Sequence, residues 1–393
     1  MTEHEFLRAL VAAFATAGGP DAARFDHAMG AAAAQAGYEH FWTAVINEAE
    51  HHGVAPLVGS ALAPWSRRHP DVLPDDVGPT FAVLARRHRR AAAERERCVD
   101  ELIAAFAEAG LPMVLLKGAC LGHLIYAAPG LRPAVDIDCL VAPADADQAA
   151  VVARSLGFAF AERHVSRFAG RMHHLPTAQR GQNGFKVSLE IHTDAMAPDD
   201  GGSLTLASLS EPLRPFARGA GRPGLAFGHV DMLRHLTRHA LEPARRLRLI
   251  HLLDIARYQL IFRDEIDRAR LARECPALAV ALDMIGLVFS PRDDGIGGPR
   301  AGVPDGVGLG MTPLSELLAQ HAGVAGALGA LFDPPPWWLH AYYGVAAGES
   351  LLPCRIVHHP AKVTGWIARR LLAVAAPAAV PAGRREGLRG ARQ

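Results

Sequence analysis

Two carboxylates, Asp136 and Asp138, stand two residues apart at the head of the apolar run Asp136-Ile-Asp138-Cys-Leu-Val141. Side chains alternate across a strand, so both point to one face. Carboxylates converging in this way suit a hard cation such as magnesium, which prefers oxygen ligands. Upstream, Leu111-Pro-Met-Val-Leu-Leu-Lys117-Gly118 reads as a short apolar strand running into a glycine turn. Such a turn, where it opens a helix, offers backbone N–H groups to a phosphate. Together the parts suggest a site for a magnesium nucleoside triphosphate.

A third acid comes from Phe185-Lys-Val-Ser-Leu-Glu190-Ile-His192, where the alternation is strict. Phe185, Val187, Leu189 and Ile191 share one face; Lys186, Ser188, Glu190 and His192 share the other, which predicts a strand with one buried side. Placed beside the Asp136 strand, it would bring three carboxylates around one or two metal ions. Taken alone, it also reads as an edge strand with a solvated face. The chain holds a control in Asp145-Ala-Asp147, also D-x-D, which precedes an Ala/Val-rich helical run. That pair is expected to cap or charge a helix N-terminus.

Lys117-Gly118, Arg132-Pro133, Asp136-Ile-Asp138-x-Leu-Val141 and Glu190-x-His192 resemble the uncharacterised nucleotidyltransferase-like family of the polymerase-beta-type nucleotidyltransferase superfamily. The resemblance extends to Phe41-Trp42-Thr-Ala-Val-Ile, His52-Gly53-Val54-Ala-Pro56-Leu57, His235-Leu-Thr-Arg-His239 and Leu249-Ile-His-Leu-Leu-Asp254-Ile-Ala256. It implies an α+β fold, a small mixed-sheet nucleotidyltransferase core flanked by N- and C-terminal helical regions. It also implies transfer of a nucleoside monophosphate from a nucleoside triphosphate to an acceptor, with Mg²⁺ or Mn²⁺ as cofactor. Asp136, Asp138 and Glu190 would be the metal-holding catalytic acids. Lys117 and Gly118 would meet the triphosphate, Arg132 would clamp a phosphate or form a surface salt bridge, and His192 would support Glu190 or touch substrate. His174 is a weaker candidate for the acceptor side. The chain departs from the superfamily where Lys117-Gly118-Ala119 replaces the usual Gly-Ser, and at Val135, Cys139 and Thr193. The acceptor (small molecule, sugar, peptide or protein), the choice of nucleotide and the oligomeric state stay open. The contrasting expectation is a module of this fold that binds nucleotide or a protein partner without turnover.

Four regions would position these residues. Residues 1–110 read as helical, with a long helix near 81–106 whose arginine-rich side, Arg86-Arg87-His88-Arg89-Arg90, is most simply solvated. Residues 111–200 form the α/β core, with strands expected at 113–116, 137–141, 158–162 and 185–192, and helices after Lys117 and near 149–156. Gly157 marks a helix exit. Residues 201–290 return to helix, at 230–242 and 245–262, where His235, His239 and His251 are expected to pack. Residues 291–393 begin with a Gly/Pro-rich linker and continue as a helical appendage carrying Trp337-Trp338, ending in a disordered tail.

Composition fits a soluble enzyme. The 393 residues are half hydrophobic and carry a net charge of +1, so no global field steers nucleic acid to the surface. A polynucleotide-extending polymerase is therefore disfavoured. The start, Met-Thr-Glu-His-Glu-Phe, lacks the basic segment of a secretory signal, and no uncharged apolar run suits a bilayer. Five scattered cysteines without C-x-x-C indicate a reducing cytoplasm and no structural zinc.

Overall fold

The computed structural model describes residues 3–33, 38–160, 173–196, 203–219, 221–241, 248–275 and 349–375, with isolated positions between 278 and 345. The Gly/Pro-rich linker, Trp337-Trp338 and the tail lie outside the described residues, as does the end of the strand expected at 158–162.

The fold is α+β, built on a five-stranded mixed sheet. Its strands are β1 (Val114–Leu115), β2 (Asp136–Leu140), β3 (Ala159–Phe160), β4 (Ala178–Gln182) and β5 (Phe185–His192), in the order β1-β2-β5-β4-β3. Only β2 and β5 run parallel; the other neighbours are antiparallel. Strand β5 therefore lies inside the sheet, not at its edge. Val187, Leu189 and Ile191 are buried as the alternation requires, and each such side chain contributes about 1.5–3 kcal/mol of apolar burial. Strand β4 is the element that the sequence reading passes over. It joins β5 through the two-residue turn Asn183-Gly184, with φ of 48° and 80°, the tight turn whose twist matches paired strands. A small separate sheet pairs β6 (Arg214–Phe216) with β7 (Gly224–Ala226).

Helices surround the sheet. On the N-terminal side are α1 (Glu3–Ala12), α2 (Ala22–Ala33), α3 (Tyr38–His51), α4 (Ala55–Arg68) and α5 (Val77–Glu108). Helix α5 buries Phe81, Cys98, Val99, Leu102 and Phe106, while Arg86, Arg87, Arg89 and Arg90 face outward, as their spacing predicts. Helix α6 (Lys117–Leu124) follows β1 at once, and α7 (Ala146–Ser155) follows β2. Asp145 sits at the N-cap of α7 without a side-chain capping bond and Asp147 lies in the first turn, so this second D-x-D charges the helix end. Helix α7 exits at Gly157, whose N–H reaches Arg154 O while Phe158 N–H reaches Ala153 O.

Helices α8 (His229–Leu241), α9 (Leu249–Ile261) and α10 (Arg268–Glu274) complete the body, and α11 (His359–Ala375) ends the described chain. Leu249, Leu252, Leu253, Ile255 and Tyr258 of α9 are all buried, as befits a helix enclosed on most sides. It is tied to the N-terminal helices through Arg248, which donates to His51 O at 2.7 Å. Among the described residues, no helix is long and apolar enough to cross a membrane.

Candidate functional site

Register makes the site. Parallel pairing sets Asp136 opposite Ser188, Asp138 opposite Glu190 and Leu140 opposite His192. Residues aligned in this way project to the same side of the sheet, so the acids of β2 and β5 share one face. Ligand atoms of Asp138, Glu190 and His192 all lie within 4.8 Å of one another. Asp136 shares the face but stands outside this close set, at the head of β2 beside a cleft.

Asp138 is only 3% exposed, and a buried carboxylate needs compensation. Two groups supply it. Lys117 Nζ donates to Oδ1 at 2.6 Å, and His192 Nε2 donates to the same oxygen at 2.9 Å. Burial alone would push the Asp138 carboxyl pKa up, but Lys117 and His192 outweigh it and hold the group well below the usual carboxylate range. Burial, with Lys117 and His174 adding, outweighs the pull of Asp138 and lowers the proton affinity of His192. With Nε2 donating, its Nδ1 is the unprotonated nitrogen; that atom is buried without a hydrogen-bond partner. Glu190 is more open, accepts from Thr177 Oγ1 at 3.2 Å, and lies 3.7 Å from His192 Nε2.

The turn before α6 differs from the expected glycine turn. The left-handed residue is Lys117, with φ of 46°, and not Gly118. A side chain there carries strain of about 1–3 kcal/mol, which the Lys117–Asp138 pair offsets. Gly118 is required for a different reason: a Cβ on it would stand 2.6 Å from Ala134 Cβ and 2.7 Å from Arg132 Nη1. The chain passes too close to the loop before β2 to admit any other residue.

Arg132 is buried and held by a partner from α9. Its Nη2 donates to Asp254 Oδ2 at 2.6 Å and its Nε at 3.2 Å, while Tyr126 Oη donates to Oδ1 at 2.7 Å. Burial works against the guanidinium charge, but Asp254 more than restores it. The surface salt bridge expected as one option is thus an interior one. Thr177, His173, Tyr126 and Asp254 are the site residues that the sequence reading misses as such. Asp254 was visible in the downstream motif, but nothing in the sequence names its partner.

Three imidazoles gather above β5: His173 and His174 lie 5.4 and 5.3 Å from His192, ring centre to ring centre. Burial, with His192 and His174 adding, pushes His173 down to about 4. His174 Nδ1 donates to Leu175 O at 2.6 Å. Beneath the site, His235 donates from Nδ1 to Ala195 O at 3.1 Å and leaves Nε2 buried without a partner. Burial, with Lys117 and His192 adding, pushes its pKa down to about 3. An unfolded histidine takes up its proton near pH 6.5, so between there and about pH 3 the unfolded chain binds a proton that the native chain refuses. The His235 contribution is therefore complete above pH 6.5 and lost as pH falls through that window. His235→Gln is expected to flatten the fall in stability between pH 7 and 4.5 by a few kcal/mol, measured by urea unfolding; parallel curves for the two proteins would refute it.

The model of a family described as uncharacterised nucleotidyltransferase matches residues 39–284, well over half of the 393-residue chain. No curated protein matches the sequence. Two solved structures are similar in part: the solution structure of the antibiotic-resistance factor ANT(2'')-Ia, and ANT(2'')-Ia crystallised with adenylyl-2''-tobramycin. The first is 16% identical, with a TM-score of 0.33 over 49% of this chain and 92% of that one. The second is 16% identical, with a TM-score of 0.32 over 48% and 97%.

Proposed function

This chain belongs to the uncharacterised nucleotidyltransferase family, and on that premise we propose that it moves a nucleoside monophosphate from a nucleoside triphosphate to an acceptor, releasing pyrophosphate. The observation that carries this reading is the meeting of Asp138, Glu190 and His192 within 4.8 Å on one face of the sheet. Two carboxylates at that spacing, one of them oriented by His192, fit a hard divalent cation, Mg²⁺ or Mn²⁺. Asp138 and Glu190 would hold it, with Asp136 on the same face toward the phosphates. When bound, such a cation neutralises charge on the phosphoryl oxygens.

The chain's own residues do the remainder. Asp138 is ionised at any pH of interest, so it needs no deprotonation to act. Glu190, half open and oriented by Thr177, is the acid placed to accept the acceptor's proton. His192 fixes the Asp138 carboxylate through Nε2. Lys117 supplies positive charge, and the first N–H groups of α6, starting at Gly118, face the phosphates. Arg132 is preoriented by Asp254, so the charge it presents next to Gly118 costs little rearrangement. Balanced surface charge argues against a nucleic-acid acceptor, and the five free cysteines favour a reducing cytoplasm.

The test is incubation of the protein with each labelled triphosphate in cell extract, with Mg²⁺ or Mn²⁺, following pyrophosphate and the labelled acceptor. Label transfer is expected with either metal, because the carboxylates that would hold the cation suit both. One observation favours a second reading, a module that binds nucleotide without turnover: Lys117 already neutralises Asp138. Nucleotide binding with no labelled product in any extract would establish that module instead.

A further inference from the structure

A shallow, solvent-open cleft lies between α5, the first turn of α6 and the head of β2. Arg95, Gly118, Arg132 and Asp136 line it. Three of these belong to the site already described; Arg95 comes from the long helix that precedes the sheet.

Arg95 stands out by its lack of partners. It makes no hydrogen bond or ion pair with any described residue, although α5 is rich in acids. Those acids are engaged elsewhere: Glu94 with Arg97 and Asn183, Glu96 with His123 and Arg218, and Asp100 with Arg218. Burial lowers the proton affinity of the Arg95 guanidinium, with Asp136 and Glu96 only partly opposing this and Arg132 adding to it. Two guanidinium groups thus share one cleft: Arg132 is hydrogen-bonded to Asp254, whereas Arg95 has only the charges of Asp136 and Glu96 nearby and no hydrogen bond among the described residues. The N-terminus of α6 has no side-chain cap, so it adds partial positive charge to the same space. Everything that lines the cleft except Asp136 and Glu96 is apolar, glycine or cationic.

We propose that Arg95 is the anchor for the phosphate chain of the nucleotide, reaching from α5 across the cleft to an anion that also touches the Gly118 turn. A linear polyphosphate satisfies the chemistry: several oxygens for a planar fork of donors, and one end beside Asp136, where a cation would bridge it. This rests on the nucleotidyl-transfer reading and extends the machinery to a helix outside the sheet. It also gives a role to a half-buried guanidinium that makes no hydrogen bond with any described residue.

The probe is inorganic tripolyphosphate with Mn²⁺, titrated calorimetrically into wild type, Arg95→Met and Arg95→Lys, alongside Mn²⁺ alone followed by electron paramagnetic resonance. Arg95→Met is expected to weaken tripolyphosphate binding at least about tenfold, with Mn²⁺ affinity unchanged and Tm equal to or above that of wild type. Arg95→Lys should recover part of the affinity. Equal affinity of wild type and Arg95→Met for tripolyphosphate would overturn the assignment and leave the nucleotidyl-transfer reading intact. A marked fall in Tm, or equal loss of Mn²⁺ affinity, would also overturn it, by making Arg95 a structural residue. Wild type that binds neither tripolyphosphate nor any nucleoside triphosphate would overturn both readings together.

Discussion

Asp138→Asn is expected to lower nucleotidyl transfer at least about a thousandfold, the loss that follows from removing several kcal/mol of transition-state stabilisation. It should also destabilise the protein, because Lys117 would be left buried opposite a neutral amide. Breaking one side of an interior ion pair costs roughly 3–5 kcal/mol. Activity and stability separate cleanly at this site. Glu190→Gln, in a half-open position with Thr177 still able to donate, should lose turnover with Tm nearly unchanged. The double variant Lys117→Met/Asp138→Asn removes both charges and should recover most of the Tm lost in Asp138→Asn, with no recovery of turnover. Thermal melts and pyrophosphate release on all four proteins check this. Turnover in folded Asp138→Asn close to that of wild type would remove the carboxylate from the reaction.

The second large effect concerns stability alone. Asp254→Ala takes the counter-ion from Arg132 and the acceptor from Tyr126 Oη in one step. An unpaired interior guanidinium makes the expected loss on the order of 3–5 kcal/mol. Asp264 provides the comparison: it too faces an arginine, Arg263, but both side chains are well exposed, and such a pair contributes little. Asp264→Ala should leave the denaturant midpoint where it is. Midpoints that shift equally in the two variants would show that the Arg132–Asp254 pair is not holding α9 against the sheet.

The elements of the site were legible in the sequence where the information is local. Period-2 alternation in residues 185–192 gave β5 its buried and polar faces, and the apolar run after Asp136 marked β2. The long α5 and the cationic side of it followed from helical spacing. What local pattern does not carry is which strand lies next to which. The adjacency of β2 and β5 depends on a crossover through α7 and the β3–β4 region, so the meeting of Asp138 with Glu190 remained a condition until the structure supplied it. Partner identity behaves the same way. Lys117 and Arg132 are both cations near a phosphate-type turn, and sequence offers each of them a phosphate; folding also gives each a carboxylate, from 21 and 122 residues away. Strand β4 is a different case, since Asn183-Gly184 before a strictly alternating run is a hairpin signal in its own right.

The mixed order of the sheet sets a sequence of assembly. Strands β1 and β2 pair antiparallel, so Lys117 can find Asp138 across a loop of 21 residues, while His192 arrives from 54 residues further along. Closing the longer loop is the slower event, and parallel pairing waits on it. The Lys117–Asp138 pairing needs only the shorter of these loops, so it does not have to wait for β5. Any cation site that needs both Asp138 and Glu190 would form only once residues 185–192 have docked.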